Sequence, residues 1–425
     1  MSFYTSLTGL NAAATELSVT SNNIANSGTA SFKRSNAEFG DIFATSTLQR
    51  SASGVGSGTV LLGINQQFTQ GNIEASANSL DLAITGDGFF PIKTSDGAEL
   101  YTRNGGFMLN DNNLLVNSEG HTLQVHPLNE VTNESNFNQA TVGLEVKRNL
   151  PATATTTIDL DIKLPMTGPV IGVNGGTPIN ITDNTTYSET QTFSLYDDAG
   201  EPYTATVYYQ KIADDTDDGA GNVQDLWLAD VYIGDATTPA ATTNLAFNSV
   251  TGALETTLAG GGIGIDQITL GPSVPDSRTS AISLSLNATS HGKGFQIVSQ
   301  TQNGLPGGGL VNVDVGNDGL VTATYSNGQQ IAAGRINLAN FSSPEGLRQD
   351  GGTKYSVTAA SGTVSYGEAG TAGFGTIRSG ALERSNVDLT AELIDLISAQ
   401  RNFQANAKAI ETSSSLTQTI INIRG

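Results

Sequence analysis

The sequence predicts a mainly β protein with α-helical termini. Two long terminal helices form a coiled-coil-like domain, and two β-sandwich or barrel-like domains lie between them, the second inserted in the first. Three observations predict this. Large apolar residues step by sevens at the start (Phe3, Leu10, Leu17, Ile24) and again at the end (Leu389, Leu396, Phe403, Ile410). Leu7, Ala14, Leu393 and Ala407 fill the three-and-four spacing of a coiled-coil seam. Between the ends, short alternating apolar runs are cut by Gly and Asn turns, the pattern of strands in a β-rich body.

Each element follows in order. The first helix runs from about Phe3 to Ala25, and Asn26-Ser27-Gly28 stops it, with Gly28 suited to the left-handed position after a helix. Residues 29–75 are poor in aliphatics and read as an extended connector with short strands. From about 76 to 145 the pattern is strand and turn: Leu80, Leu82 and Ile84 alternate, Gly86-Asp87-Gly88 turns, and Phe89 and Phe90 fill the first β-domain. Residues 146–289 form the inserted outer β-domain. There Ile158, Leu160, Ile162 and Leu164 alternate strictly, and Thr204 to Tyr209 pairs with Leu226 to Ile233 across an acidic loop. Trp227, Tyr208 and Tyr209 read as its core. The first β-domain resumes over 290–383, where Asn327-Gly328 signals a type I′ hairpin turn. The last helix opens after Ser385-x-x-Asp388, a capping-box spacing, and runs from about 388 to 423. The helical domain is therefore 1–28 with 384–425. At the α-helical rise, the two helices are about 35 Å and about 54 Å long.

Helices this long with narrow apolar seams are not stable alone in water. Antiparallel pairing of the two termini covers one side of each, and neighbouring subunits are left to cover the rest. The expected subunit-packing residues are Phe3, Leu7, Leu10, Leu17, Ile24, Leu389, Leu393, Leu396, Phe403 and Ile410. Small residues along both stripes (Ala12, Ala13, Ala399, Ala405) permit close approach.

Composition narrows the function. Net charge is −21 with only 19 Lys and Arg, so nucleic acid and anionic membranes are poor partners. With no cysteine, disulfides and thiol chemistry are excluded. The three histidines stand in no nucleophile or metal-ligand pattern, so no catalytic residue, cofactor site or metal site is assigned. The N-terminus has no basic region followed by a continuous apolar core, and so does not read as a cleaved signal peptide. No stretch approaches the roughly 20 apolar residues that span a bilayer.

Ser21-Asn22-Asn23-Ile24-Ala25-Asn26 followed by Ser31-Phe32-Lys33-Arg34-Ser35 resembles the N-terminal signature of the axial rod and hook proteins of the bacterial flagellum. Ser385-Asn386-Val387-Asp388-Leu389 with Ala399-Gln400-Arg401-Asn402-Phe403-Gln404-Ala405-Asn406 resembles their C-terminal signature. The middle is most similar to the hook branch, through Tyr101-Thr102-Arg103-Asn104-Gly105, Tyr325-Ser326-Asn327-Gly328 and Ile336-Asn337-Leu338-Ala339-Asn340-Phe341. One departure is Asp111-Asn112-Asn113-Leu114, where the family has glycine near Asn113. The resemblance implies a structural subunit that polymerises into a short, curved, flexible tube, a universal joint carrying motor torque from rod to filament. It implies self-association and four partners: a hook cap, a distal rod protein, a hook–filament junction protein and the type III export apparatus. It implies a location in the basal body and hook, outside the cell, reached without a cleaved signal. Phe39-Gly40-Asp41-Ile42-Phe43 fits the aromatic motif by which such subunits engage the export gate.

Asp214-Asp215-Thr216-Asp217-Asp218-Gly219 with Asp225 faintly resembles a calcium loop. Thr216 and the short Asp225 fit it poorly, and a solvated hairpin tip is the simpler reading. Two rivals to the hook reading stand. A distal rod or other axial protein is the nearer, although those are usually shorter. A β-rich surface adhesin would explain the middle of the chain but not the matched heptads at both ends.

Overall fold

The computed structural model describes residues 2–42, 56–129, 132, 134–171, 178–217, 223–255, 267–270, 282–292 and 294–423. The chain divides into two compact units. The first comprises Met1–Lys147, Val311–Thr324 and Gln330–Gly425; the second comprises Arg148–Leu310 and Tyr325–Gln329.

In the first unit, helix α1 spans Ser2–Ala25 and helix α2 spans Leu389–Ile423. They run antiparallel: the Asn23 side chain near the end of α1 meets Glu392 near the start of α2. At the other end of the pair, Gly9 lies against Asn406. The β part is built on a ten-stranded sheet. Its path runs from the exposed edge strand Arg348–Gly351 through Lys354–Ser356, Glu99–Thr102, Phe90–Lys93 and Thr122–Val125. It continues through Leu115–Asn117, Gly105–Leu109 and Asp81–Thr85 to Thr376–Ser379. Neighbouring strands along this path pair antiparallel. Phe89, Tyr101, Phe341 and Tyr355 form a buried aromatic cluster against which Phe68 packs. Their rings meet edge to face at 4.9 to 5.9 Å between centroids, the geometry that aligns the positive ring edge with a neighbour's negative face.

The second unit packs two sheets face to face. One has five antiparallel strands: Glu189–Tyr196, Pro202–Asp217, Val223–Ile233, Ala241–Asn248 and Leu254–Glu255. The other runs Gln267–Leu270, Ile282–His291, Thr157–Pro165, Gln296–Gln302, with Thr157–Pro165 parallel to Ile282–His291. The alternation of Ile158, Leu160, Ile162 and Leu164 turns all four inward, beside Leu284, Leu286 and Ala288 and against Phe193, Val207, Tyr209, Trp227 and Phe247. Burying an aliphatic side chain of this size contributes about 1.5–3 kcal/mol, so this face accounts for a large share of the unit's stability.

Five local expectations change. The return to the first unit falls at Val311, not at 290, because Gln296–Gln302 pairs with Thr157–Pro165. Helix α1 ends without a left-handed glycine: Asn26 caps it through its backbone N–H and side-chain Nδ2, both donating to the Asn22 carbonyl. The left-handed residue is Ser31, at φ 55°. The cap of α2 is Asp388, whose Oδ1 accepts from Thr390 N (2.8 Å) and Ala391 N (3.3 Å), while the Ser385 hydroxyl accepts from Val387 N instead. At Asn327-Gly328 only the glycine has positive φ, at 84°. Gly328 N donates to Tyr325 O and Tyr325 N to Gln329 O, which makes a type I turn closed by a left-handed glycine rather than type I′. Tyr208 lies on the face of its sheet opposite Tyr209, edge to face with Tyr187 and Tyr232, and is not core. Asn113, where the family carries glycine nearby, takes φ 63° itself, which asparagine tolerates better than most residues.

Candidate assembly surface and the joint behind it

Among the described residues of α1 and α2, those buried are small or polar: Ala13, Thr20 and Asn23 on the first, Glu392 and Ala399 on the second. The predicted seam residues sit differently. Leu7, Leu10, Leu17, Ile24, Leu396 and Ile410 are half-buried, while Phe3, Leu389, Leu393 and Phe403 are exposed. Ile394, Ile397 and Leu416 are exposed beside them. Small residues let the helix axes approach, while Leu389, Leu393, Ile394 and Ile397 stay exposed. Among the described residues, nothing covers the exposed part of this apolar helical face.

A second exposed apolar surface lies on the hairpin of Ser35–Asp41 with Thr59–Gln66, which packs on α1. Val60, Leu61, Leu62 and Ile64 are all exposed there. Phe39 of the export motif is half-buried in this hairpin opposite Leu61. Its partner Phe43 lies outside the described residues.

Behind the helices, both terminal signatures meet in one polar joint. Asn23 grips the chain ahead: its Nδ2 donates to Ser35 O (2.9 Å) and its Oδ1 accepts from Ser35 N (2.9 Å). Arg34 reaches Glu392 and, at 3.2 Å, Asp395. Its backbone N–H donates to the Asn386 side chain at 2.8 Å, and Asn386 Nδ2 donates to Gln67 O and Thr69 Oγ1, each at 2.8 Å. Deeper in, the Lys33 ammonium lies 2.7 Å from Glu383 Oε1, both side chains at 0% exposure. Arg103 lies 3.7 Å from Glu383 Oε2 with its guanidinium over the Phe89 ring. Gly71 N also donates to Glu383 Oε1 at 2.8 Å. A Cβ at Gly71 would fall 2.0 Å from Arg384 O, so only glycine lets the chain pass there. Burial lowers the Lys33 pKa, and Glu383 partly offsets that shift. The signatures contain Lys33 and Arg34, but nothing local in the sequence points to Glu383 or Glu392 as their partners.

The acidic stretch is not a simple solvated tip. Asp214, Asp215 and Asp225 converge to within 4.8 Å, and Asp225 is buried. The fully buried Lys211 ammonium sits among them, 2.8 Å from Asp214 and 3.6 Å from Asp225, and it donates to Met166 O at 2.7 Å. Burial raises the Asp225 pKa, while the Lys211 hydrogen bond lowers that of Asp214. A side-chain ammonium thus occupies the place of a cation. Asp218 and Gly219 lie outside the described residues.

Four family profiles match in chain order. These are the flagella basal body rod protein (residues 3–33), the flagellar hook protein FlgE/F/G D1 domain (83–168), the flagellar basal body protein FlaE D2 domain (163–305) and the flagellar basal body rod FlgEFG protein C-terminal (378–423). Together they define an axial structural protein of the bacterial flagellum. The flagellar hook protein FlgE of Salmonella typhimurium is 38% identical over 434 residues, covering all of both chains. That of Escherichia coli K12 is 36% identical over 436 residues with the same coverage. That of Borreliella burgdorferi is 32% identical over 459 residues, covering 100% of this chain and 99% of the other. The chain belongs to the flagellar hook protein FlgE family, structural subunits of the hook. The crystal structure of Helicobacter pylori flagellar hook protein FlgE2 shares the fold, with a TM-score of 0.52 over 73% of this chain and 100% of that one, at 15% identity.

Proposed function

We propose that this chain polymerises with copies of itself into a curved, flexible, hollow tube that carries torque from the rod to the filament. The observation that carries this reading is the uncovered apolar face of α1 and α2, with Leu393 at 50% and Ile397 at 49% exposure. A face of this kind is unfavourable in water and calls for a partner of matching shape. A contact between unlike patches, repeated with helical symmetry, builds an open tube rather than a closed ring. The heptad seams act as subunit-packing surfaces, and the small polar contact between α1 and α2 keeps them presented. The distal rod protein and the hook–filament junction protein take the two ends of this polymer, and the hook cap its growing tip.

Immunogold electron microscopy of intact flagella with antibody against residues 148–310 tests the assignment. Gold is expected only on the short curved segment between cell and filament. Label along the filament or scattered over the cell surface would overturn it, the second pattern favouring an adhesin.

Export through the type III apparatus belongs to the same reading, with Phe39 and Phe43 recognised on the unfolded chain. Exchanging both for alanine is expected to cut secretion at least about tenfold, roughly the loss of 1.4 kcal/mol of recognition. Undiminished secretion removes these two residues from the export role.

A further inference from the structure

Lys211 is buried in the second unit with its ammonium against two carboxylates. It lies on Pro202–Asp217 directly opposite Trp227 of Val223–Ile233, and its side chain is at 0% exposure. Asp225 precedes Trp227 by one strand period and so projects from the same face, its side chain at 3% exposure. The pairing slips between Lys211 and Ala213 and again between Ala213 and Thr216, and Asp215 takes φ 47°. Slips of this kind re-aim side chains, and here Asp214 turns back onto the Lys211 ammonium at 2.8 Å.

The two oxygens of Asp225 are held differently. Oδ1 accepts from the Asp215 N–H at 3.3 Å and from the Ser249 hydroxyl at 3.2 Å. Oδ2 faces Lys211 Nζ at 3.6 Å. Asp214 and Asp225 are hydrogen-bonded to each other, which two carboxyl groups can do only when one carries a proton. Burial, then the Asp214 hydrogen bond, raises the Asp225 pKa, while the Lys211 hydrogen bond lowers that of Asp214. Asp225 is therefore the acid of the pair and Asp214 the base. An amine, a neutral carboxyl, a base and two donors on the carbonyl oxygen are the parts that an amide condensation needs.

We propose that Lys211 and Asp225 condense into an amide that staples their two strands together, with Asp214 moving the protons. Asp214 takes a proton from the ammonium and frees the nitrogen lone pair. Nζ attacks Asp225 Cγ, and the Asp215 N–H and Ser249 O–H stabilise the charge that gathers on Oδ1. The Cγ–Oδ2 bond then breaks, and Oδ2 leaves as water. Of the two protons that the nitrogen loses, one completes the water and the other stays on Asp214. That carboxyl is 51% exposed and passes its proton to solvent. Nothing is oxidised or reduced, and no other reactant is needed. Holding the amine against the carboxyl replaces a chance encounter with a fixed one. Met166, Asp214, Asp225 and Ser249 line a cleft of about 530 Å³ through which the water departs. Such a tie holds under sustained pull, where an ion pair opens and closes.

The mass of the denatured full chain is the test. The wild type is expected to weigh one water less than its sequence. Trypsin, which needs a free lysine, is expected not to cut after Lys211, and fragment-ion sequencing should place the lost water between Lys211 and Asp225. Asp225→Asn should form the same bond with loss of ammonia in place of water. Lys211→Arg and Asp214→Asn should both keep their full sequence mass. A wild type at full sequence mass with Lys211 open to trypsin would overturn the proposal. So would a lost water that persists in Lys211→Arg, which would assign it to ring closure at an aspartate–glycine pair such as Asp96-Gly97.

Discussion

Leu393→Asp combined with Ile397→Asp is expected to abolish polymerisation while leaving the monomer folded. Both side chains are about half exposed in the subunit, so the isolated chain loses little, less than about 1 kcal/mol by the usual range for surface positions. In the polymer each copy would bury both. Losing an aliphatic contact costs about 1.5–3 kcal/mol, and desolvating an unpaired carboxylate costs several more. Two such sites per contact raise the concentration needed for assembly by well over about a hundredfold. Negative-stain microscopy and sedimentation would score the polymer, and circular dichroism melting the monomer. Tubes of normal length from the double variant would show that this face is not the adhesive one. Leu396→Asp is a blunter probe, because Leu396 is half-buried and its loss also strains the subunit.

Glu383→Ala is expected to be the most damaging single change in the first unit. It strips the fully buried Lys33 of its counter-ion, leaves Arg103 facing an empty space and frees the Gly71 N–H. Breaking a buried ion pair from one side costs about 3–5 kcal/mol, because the surviving charge stays desolvated. Lys33→Met added to Glu383→Ala should recover part of that loss by removing one stranded cation. Urea unfolding followed by a probe in the first unit would measure it, since two compact units need not unfold together. A single variant as stable as the parent would mean that the joint is already hydrated and the pair contributes little.

The terminal helices are legible because a 3.5-residue apolar repeat is what paired helices require and strands or loops do not. The strands of the second unit are legible because alternation at Ile158 to Leu164 can bury only one face. The sense of the helix contact is less so. Sequence spacing shows that Leu393 and Ala399 both lie on stripes, but not that small residues win the inward side. That depends on how closely two axes approach, a property of the pair and not of either helix. The joint is illegible for a different reason. Lys33 and Glu383 are 350 residues apart, and neither has a local pattern that distinguishes it from a surface charge. The boundary falls wrongly near 290 because Gln296–Gln302 is exposed nearly throughout. It lacks the inward apolar row that would tie it to the preceding domain. The acidic stretch misleads in the same way: charge density suggests solvent, while Lys211, set in an apolar run, draws Asp225 inside.

The long reach of the joint also sets an order of events. Every described strand of the second unit's two sheets lies within residues 157–302, one contiguous stretch of chain. That unit can close while the first is still unfinished. Lys33 and Asn23 can be paired only once Glu383 and Glu392 are brought to them, across separations of 350 and 369 residues. The beginning of the chain is thus held open until its end arrives, and the last helix acts as the key that locks the first.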